Sequence, residues 1–554
     1  MQNVRPQNRS LAIAIWLTLT VAAASAGVEI IPSSVSPLRN EGNIDLAAPI
    51  VVNFDRPINT STVNALSFWA FGRFSGAAVG NISFTNGNQS MVLTPNRRFQ
   101  AGETVTVFLS RNIQMADGNP LRTAGYSWQF TTRTRCSPGL SFTQIDQFSN
   151  RDEFNGQTRI YGAVTTDFTN DGWVDIATIN EVSADMRLFV NRADGTGLYE
   201  ENYVEPVVSL RDEVSPNEPG DFNRDGNADF AVASSATNTL CIVLGNGDGT
   251  FSPAQFLAVG AQPHGVAVLD FDGDGDADIA TANSSGNNIT LLRNNGSGVF
   301  ANIGNIESGG NGEYGLIAGD MNHDGLLDLI VGARSGQRAI VMRANGNASF
   351  TTITNVTIGG EVWVIVAGDL NGDRNLDIAA GNAFSNNGTI LFGTATGGLS
   401  APTAYPSPGH TPSADIGDLD GDGDLDWVLS SFGGNSWRMY RNNGLGVFTF
   451  VTDIAAPDNP SCAALFDTDN DGDIDLTLYD EIADVVKLLR NNSSRWAGDL
   501  DLDGDVDLTD LSRLLANFGV GTGAELNDGD IDFDGDVDLT DLSQLLSTFG
   551  QGCP

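Results

Sequence analysis

The sequence predicts a mainly β protein: a seven-bladed β-propeller with a β-sandwich ahead of it and a small all-α module behind it. Three observations carry this reading. An aspartate-rich string recurs seven times at a near-constant step, each copy sits among short apolar runs of strand length, and the chain on either side follows a different pattern. A chain of 554 residues has room for several domains, each with its own core.

The string Asp-x-(Asp/Asn/Thr)-x-Asp-x-x-x-Asp begins at Asp167, Asp221, Asp270, Asp320, Asp369, Asp418 and Asp467, at steps of 54, 49, 50, 49, 49 and 49 residues. Around the third copy the apolar runs are Gly265 to Leu269, Ile279 to Ala282, Ile289 to Leu292 and a fourth near Phe300, with an Asn/Gly turn before the last. Four short strands at this spacing match the blade period of a propeller. The last copy stops at Asn492 without a fourth strand, and a lone strand-like segment, Ser141 to Phe148, precedes the first. Pairing these two ends would close the ring over 137–492 and leave no open sheet edge. An open superhelix of the same units is the alternative.

Before the array, residues 28–133 carry alternating apolar runs (Ile50 to Phe54, Met91 to Leu93, Val105 to Leu109, Tyr126 to Phe130) separated by Pro, Gly and Asn turns, the spacing of a sandwich. After it, residues 498–550 hold a loop from Asp499 that recurs from Asp530, 31 residues on. Each copy runs into an amphipathic stretch, Leu511, Leu514, Leu515, Phe518 and Leu542, Leu545, Leu546, Phe549, at helical spacing and followed by Gly. Residues 1–26 read as an export signal: Arg5 and Arg9, an apolar run from Leu11 to Ala24, and a small-residue cleavage site at Ala24-Ser25-Ala26. An uncleaved anchor is the alternative there. No later apolar stretch is long enough to span a membrane, so the expected location is outside the cell or on its surface, by bacterial export.

The net charge of -41 is concentrated: 39 of the 69 acidic residues lie in the nine loops. That distribution points to cation sites rather than a generally acidic surface. Even nine bound divalent ions would leave the chain negative, and Lys487 is its one lysine, which argues against a nucleic-acid partner. The cysteines Cys136, Cys241, Cys462 and Cys553 are too few and scattered for a framework or a zinc site; burial and a single bridge both remain open.

A hard cation such as Ca²⁺ takes six to eight oxygens, which a short loop supplies when carboxylates alternate with turn residues. The expected ligands are the first, third, fifth and ninth loop residues. These are Asp167, Thr169, Asp171 and Asp175; Asp221, Asn223, Asp225 and Asp229; Asp270, Asp272, Asp274 and Asp278; and Asp320, Asn322, Asp324 and Asp328. They continue with Asp369, Asn371, Asp373 and Asp377; Asp418, Asp420, Asp422 and Asp426; and Asp467, Asp469, Asp471 and Asp475. In the tail the closing residue is the twelfth, giving Asp499, Asp501, Asp503 and Asp510, and Asp530, Asp532, Asp534 and Asp541. Up to about nine Ca²⁺ sites follow. An Asx-rich turn without metal is the alternative for any one loop. Thr169 and Arg374, which stands where the other loops have Gly, mark two loops as weaker, whereas the third, sixth and seventh carry five Asp each and are expected to bind best.

At these residues the array resembles FG-GAP/VCBS-type repeats, the integrin-α-like propellers, over about 137–492. That resemblance implies loops that brace the blades and a ligand, carbohydrate or protein, on a propeller face. Leu93-Thr-Pro-Asn-Arg-Arg-Phe-Gln-Ala-Gly-Glu-Thr, Asp117-Gly-Asn-Pro-Leu and Trp128-Gln-Phe-Thr-Thr resemble the bacterial Ig-like domain of surface-layer proteins, implying a spacer or adhesive sandwich. The tail resembles a type I dockerin with EF-hand-like loops, which implies a cohesin-like partner or cell-surface assembly read by Leu508, Thr509, Leu539 and Thr540.

No nucleophile elbow, His-Glu-x-x-His or phosphate loop is present. His264, His323 and His410 read as turn or surface residues, and the Trp and Tyr residues as core. The expectation is a noncatalytic, secreted, calcium-binding adhesion protein. An extracellular polysaccharide-degrading enzyme, or a component of such an assembly, is the alternative.

Overall fold

The computed structural model describes residues 30–136, 140–151, 154–492, 498–500, 505–524, 528–532 and 534–550. The expected export signal, Asp501, Asp503 and Cys553 lie outside them.

Seven four-stranded antiparallel sheets accompany the seven loops. Around the third loop the strands are Pro263–Leu269, Asp278–Asn283, Asn288–Asn294 and Phe300–Ile306, paired in chain order. The second strand of that sheet is buried at every residue and the fourth is mostly exposed. This gradient explains why the inner runs are continuously apolar while the outer ones are polar. The last sheet takes Phe142–Ser149 as its outer strand, with Phe142 opposite Asn491 and Ser149 opposite Val485. The first strand of each sheet packs on the first strand of the next, and Pro460–Phe466 packs on Ile160–Thr166, so the array returns on itself.

The N-terminal region is a sandwich of a four-stranded and a five-stranded sheet around Val52, Phe68, Leu93, Val107, Trp128 and Phe130. Its sequence reads as a separate spacer; the structure seats it on the ring. Strand Phe68–Gly72 is buried on both faces. Phe68 and Ala70 face the sandwich core, whereas Trp69, Phe71 and Phe108 join a cluster with Phe222, Leu240 and Ile279 of the ring. Trp69 stacks on Phe108 at 4.5 Å and donates its Nε1–H to Gly275 O at 2.9 Å. The apolar area these rings remove from water favours docking over a free linker.

In the tail, α1 (Leu508–Asn517) and α2 (Leu539–Thr548) each start at a reciprocal capping box, Asp507 with Asp510 and Asp538 with Asp541. Leu500, Val506, Leu514, Ile531, Val537 and Leu545 form its core. Of each predicted apolar stripe, only Leu514 and Leu545 are fully buried; Leu515, Phe518, Leu546 and Phe549 are exposed. Among the described residues no helix is long and apolar enough to cross a membrane.

Candidate metal centres and the two ends of the ring

Each ring loop is folded by its own aspartates. The first Asp accepts the amide of the sixth residue, as in Gly172 N to Asp167 Oδ2 at 2.9 Å and Gly472 N to Asp467 Oδ2 at 2.7 Å. The ninth Asp ties the loop to its sheet through both oxygens. Asp278 Oδ2 accepts from Phe271 N at 3.3 Å and Oδ1 from Asn294 N at 2.7 Å, and the pattern repeats at Asp175, Asp229, Asp328, Asp377, Asp426 and Asp475. The sixth residue lies at positive φ in every loop, from Gly172 at 90° to Gly472 at 96°; Arg374 holds the same place at 65°. A Cβ there is strained, and the Arg374 side chain is drawn off toward Glu41 of the sandwich at 3.5 Å.

The geometry brings carboxylates together in the third, sixth and seventh loops. Oxygens of Asp270, Asp272 and Asp278 lie within 4.8 Å of one another, as do those of Asp418, Asp420 and Asp422, and of Asp467, Asp469 and Asp475. Burial pushes Asp175, Asp229 and Asp328 up to about 8 and Asp426 up to about 9, reinforced by neighbouring loop carboxylates. Asp418 Oδ1 and Asp469 Oδ1 are shielded from solvent with no hydrogen-bond partner. Buried carboxylates crowded in this way need a counter-cation or a proton. All-oxygen donors at such separations suit a hard divalent ion of the Ca²⁺ type. Thr169 Oγ1 turns to Asp167 Oδ1 at 3.5 Å. The extra third-place Asp of the three richest loops is met by an arginine from its own sheet: Asp272 by Arg293 at 3.9 Å, Asp469 by Arg490 at 3.0 Å, and Asp420 by Arg441 in close contact. Those arginines compete for the carboxylates that single the loops out.

In the tail, Asp541 accepts from Ile531 N at 2.7 Å and from Asp538 N at 2.8 Å, and its oxygens converge with those of Asp530 and Asp532. Around Asp510 the described cluster is with Asp505 and Asp507, which the one-three-five reading did not include. Leu508 and Leu539 are 69% and 71% exposed at the helix starts, beside exposed Thr509 and Thr540.

All seven loops meet the sandwich or the segment that leaves it, at Thr134 and Arg135. Arg135, 3% exposed, pairs with Asp471 at 2.8 Å and Asp473 at 3.0 Å. Thr134 Oγ1 donates to Asp418 Oδ2 at 2.6 Å, and Arg122 donates to Asp324 O at 2.8 Å. Arg111 donates to Asp272 O at 2.7 Å, and Gln100 to Gly172 O at 2.9 Å. Arg224 of the second loop donates to Ala65 O at 3.0 Å, and Asn40 donates to Arg374 O at 3.3 Å in the fifth. No basic patch is visible in the sequence, because these arginines are spread along the sandwich and gather only against the acidic end of the ring. They close that end over an inner cavity of about 480 Å³ that includes Arg73, Glu218 and Asp415.

The opposite end is open and aromatic. Tyr161, His264, Tyr314 and Trp363 surround a cavity of about 420 Å³. His264 is not a surface residue: it is 3% exposed and stacked on Tyr314 with centroids 3.4 Å apart. His410 stacks on Phe384 at the same end, while His323 sits in the fourth loop, 2.9 Å from Asn375 Oδ1. One signal could have revealed this mouth: each of the four residues lies six positions before its loop, a column seen only when the repeats are aligned. Cys136 is disulfide-bonded, and Cys241 and Cys462 are free thiols.

Fold and site together define a mainly β repeat protein with a docked sandwich. The FG-GAP-like repeat model matches five times, at 221–281, 270–331, 320–380, 369–429 and 418–478, and the bacterial Ig-like domain model matches 29–132. The chain therefore carries five FG-GAP-like repeats and a bacterial Ig-like domain. Sequence comparison with curated proteins found no match. Among solved structures, BBS1N in complex with ARL6DN is similar at 12% identity and TM-score 0.47, covering 64% of this chain and 98% of that one. An Agrocybe aegerita lectin that recognises non-reducing terminal N-acetylglucosamine is similar at 15% and 0.40, covering 79% and 99%. A 6-phosphogluconolactonase-like protein from Bacteroides uniformis is similar at 14% and 0.41, covering 72% and 98%. At such scores these likenesses carry nothing about ligand or activity.

Proposed function

We propose that the chain is a secreted, noncatalytic binding protein built on a seven-bladed β-propeller whose loops hold Ca²⁺. The sandwich caps the calcium end, and the dockerin-like tail couples the molecule to a cohesin-like partner or cell-surface assembly. The observation that carries this reading is the convergence of carboxylates in the third, sixth and seventh loops, at the end of the ring that the sandwich covers. Calcium in the loops neutralises charge that burial otherwise penalises, and so stiffens the seat of the sandwich. Closing that end leaves the other for ligand. In the tail, the exposed Leu508, Leu515, Leu539 and Leu546 supply an apolar surface of the kind a protein partner covers. Ig-like and FG-GAP-like modules fit a binding role, and the export pattern at the N-terminus fits the same location.

Calcium titration of the full chain by calorimetry tests the proposal, with thermal unfolding in EDTA as a second readout. A stoichiometry near nine sites and a lower melting temperature in EDTA are expected. A stoichiometry near two would confine calcium to the tail and make the ring loops plain turns. No change on chelation would overturn the calcium reading altogether.

A further inference from the structure

We propose that the open end of the ring binds the neutral sugar units of a glycan on the half-buried rings of Tyr161 and Trp363, which the buried His264 and Tyr314 support from behind. This rests on the reading of the chain as a binding protein and names its ligand class and site.

The backbone sets the position. In the first strands of the sheets, the pairing skips Tyr161 between Ile160 and Gly162, Tyr314 between Glu313 and Gly315, and Trp363 between Val362 and Val364. His264 falls in the same irregularity, between Pro263 and Val266. A bulge re-aims the side chain it releases. The irregularity does not require an aromatic ring, because the last sheet carries Ser461 there, between Pro460 and Cys462. Four aromatic residues at a position where the fold accepts serine point to a role beyond packing.

The surface is rigid and carries a surplus of negative charge. Tyr314 and Trp363 have centroids 4.9 Å apart, and Trp363 Nε1–H donates to Tyr161 OH at 3.1 Å. Arg334 lies 4.2 Å over Trp363 and donates to Glu361 Oε2 at 3.2 Å. Arg159 is held by Glu181 at 3.0 Å and by Glu481 in close contact. Both lining arginines are thus neutralised by carboxylates, and Glu213 adds a further negative charge. That negative surplus disfavours phosphates and uronates. What remains are the half-buried Tyr161 and Trp363 rings, bordered by fixed planar donors and acceptors, and His410 Nε2 is shielded with no hydrogen-bond partner. A neutral sugar matches it: its C–H face lies on the rings and its hydroxyls reach the rim. The cavity of about 420 Å³ falls within the size of ordinary ligand pockets. Phe384, 62% exposed, extends the aromatic surface outward.

The test is an array of neutral glycans (β-glucan, β-galactan, mannan and chitin fragments) and acidic ones, probed with the full chain and followed by calorimetry on the hits. Trp363→Ala and the rim variant Phe384→Ala are then compared with the parent, with circular dichroism to confirm folding. Binding of a neutral glycan, weakened about tenfold by Trp363→Ala and measurably by Phe384→Ala, is the expected result. A neutral glycan bound equally well by both folded variants places the sugar elsewhere and overturns the site, while leaving the binding function standing. Binding only to acidic glycans, or to none, overturns the ligand class.

Discussion

Replacing Arg135 by methionine tests how the sandwich is held on the ring. The guanidinium is 3% exposed, lies 3.0 Å from Asp473, whose side chain is 1% exposed, and 2.8 Å from Asp471, whose side chain is 28% exposed. Methionine keeps the aliphatic stem and the backbone bond from Arg135 N to Gly472 O at 2.6 Å, so the change removes only the guanidinium, with its ion pairs and its bond to Asp471 O. Breaking a buried pair from one side costs about 3–5 kcal/mol, because the remaining ion is left without compensation. Asp471 is partly solvated and adds little, so the loss comes mainly from Asp473. A cation in the seventh loop would share the compensation and reduce it. The assay is urea unfolding of the full chain by tryptophan fluorescence, in EDTA and in calcium, with proteolysis between the sandwich and the first sheet as an independent readout. A loss of about 3 kcal/mol or more in EDTA, smaller in calcium, with faster cleavage in the variant, is expected. A loss below about 1 kcal/mol in EDTA, the value of a surface pair, would refute the claim that this contact is a buried latch.

Gly421→Ala should unseat the same region, since φ there is +68° and a Cβ would come 2.2 Å from Arg135 O; faster proteolysis between sandwich and ring is the readout, and unchanged cleavage would contradict the packing. Burial holds the His264 imidazole well below its ordinary value, so the unfolded chain binds a proton near pH 6.5 that the folded chain refuses. The contribution of this group is therefore expected to fall as pH drops through about 6.5 and below, at up to about 1.4 kcal/mol per pH unit and against the opposite slope of the buried loop aspartates, so the difference between the parent and His264→Phe in urea melts should isolate it.

The loops were legible because their chemistry is local. Alternating carboxylate and turn residues within nine positions, a Gly at the sixth place in all but one loop and a step near 49 can be read from the text alone. The helix starts were legible for the same reason, with Asp507 and Asp510 three residues apart forming both halves of a cap. The sandwich seat was half-written: Phe68-Trp69-Ala70-Phe71 is apolar at every residue, the pattern of a strand covered on both faces, but nothing in it names the covering surface.

By itself, then, the sequence determined the strand and helix pattern and the step of the aspartate loops, because short-range periodicity and turn chemistry act over a few residues. Only the tertiary structure decided which end of the ring the sandwich closes and which stays open. Arg97 meets Asp167 across 70 residues, Arg135 meets Asp471 across 336, and Tyr161 meets Trp363 across 202. Such contacts depend on the ring returning on itself, and the free energy that selects them is a sum over distant surfaces that no local window contains.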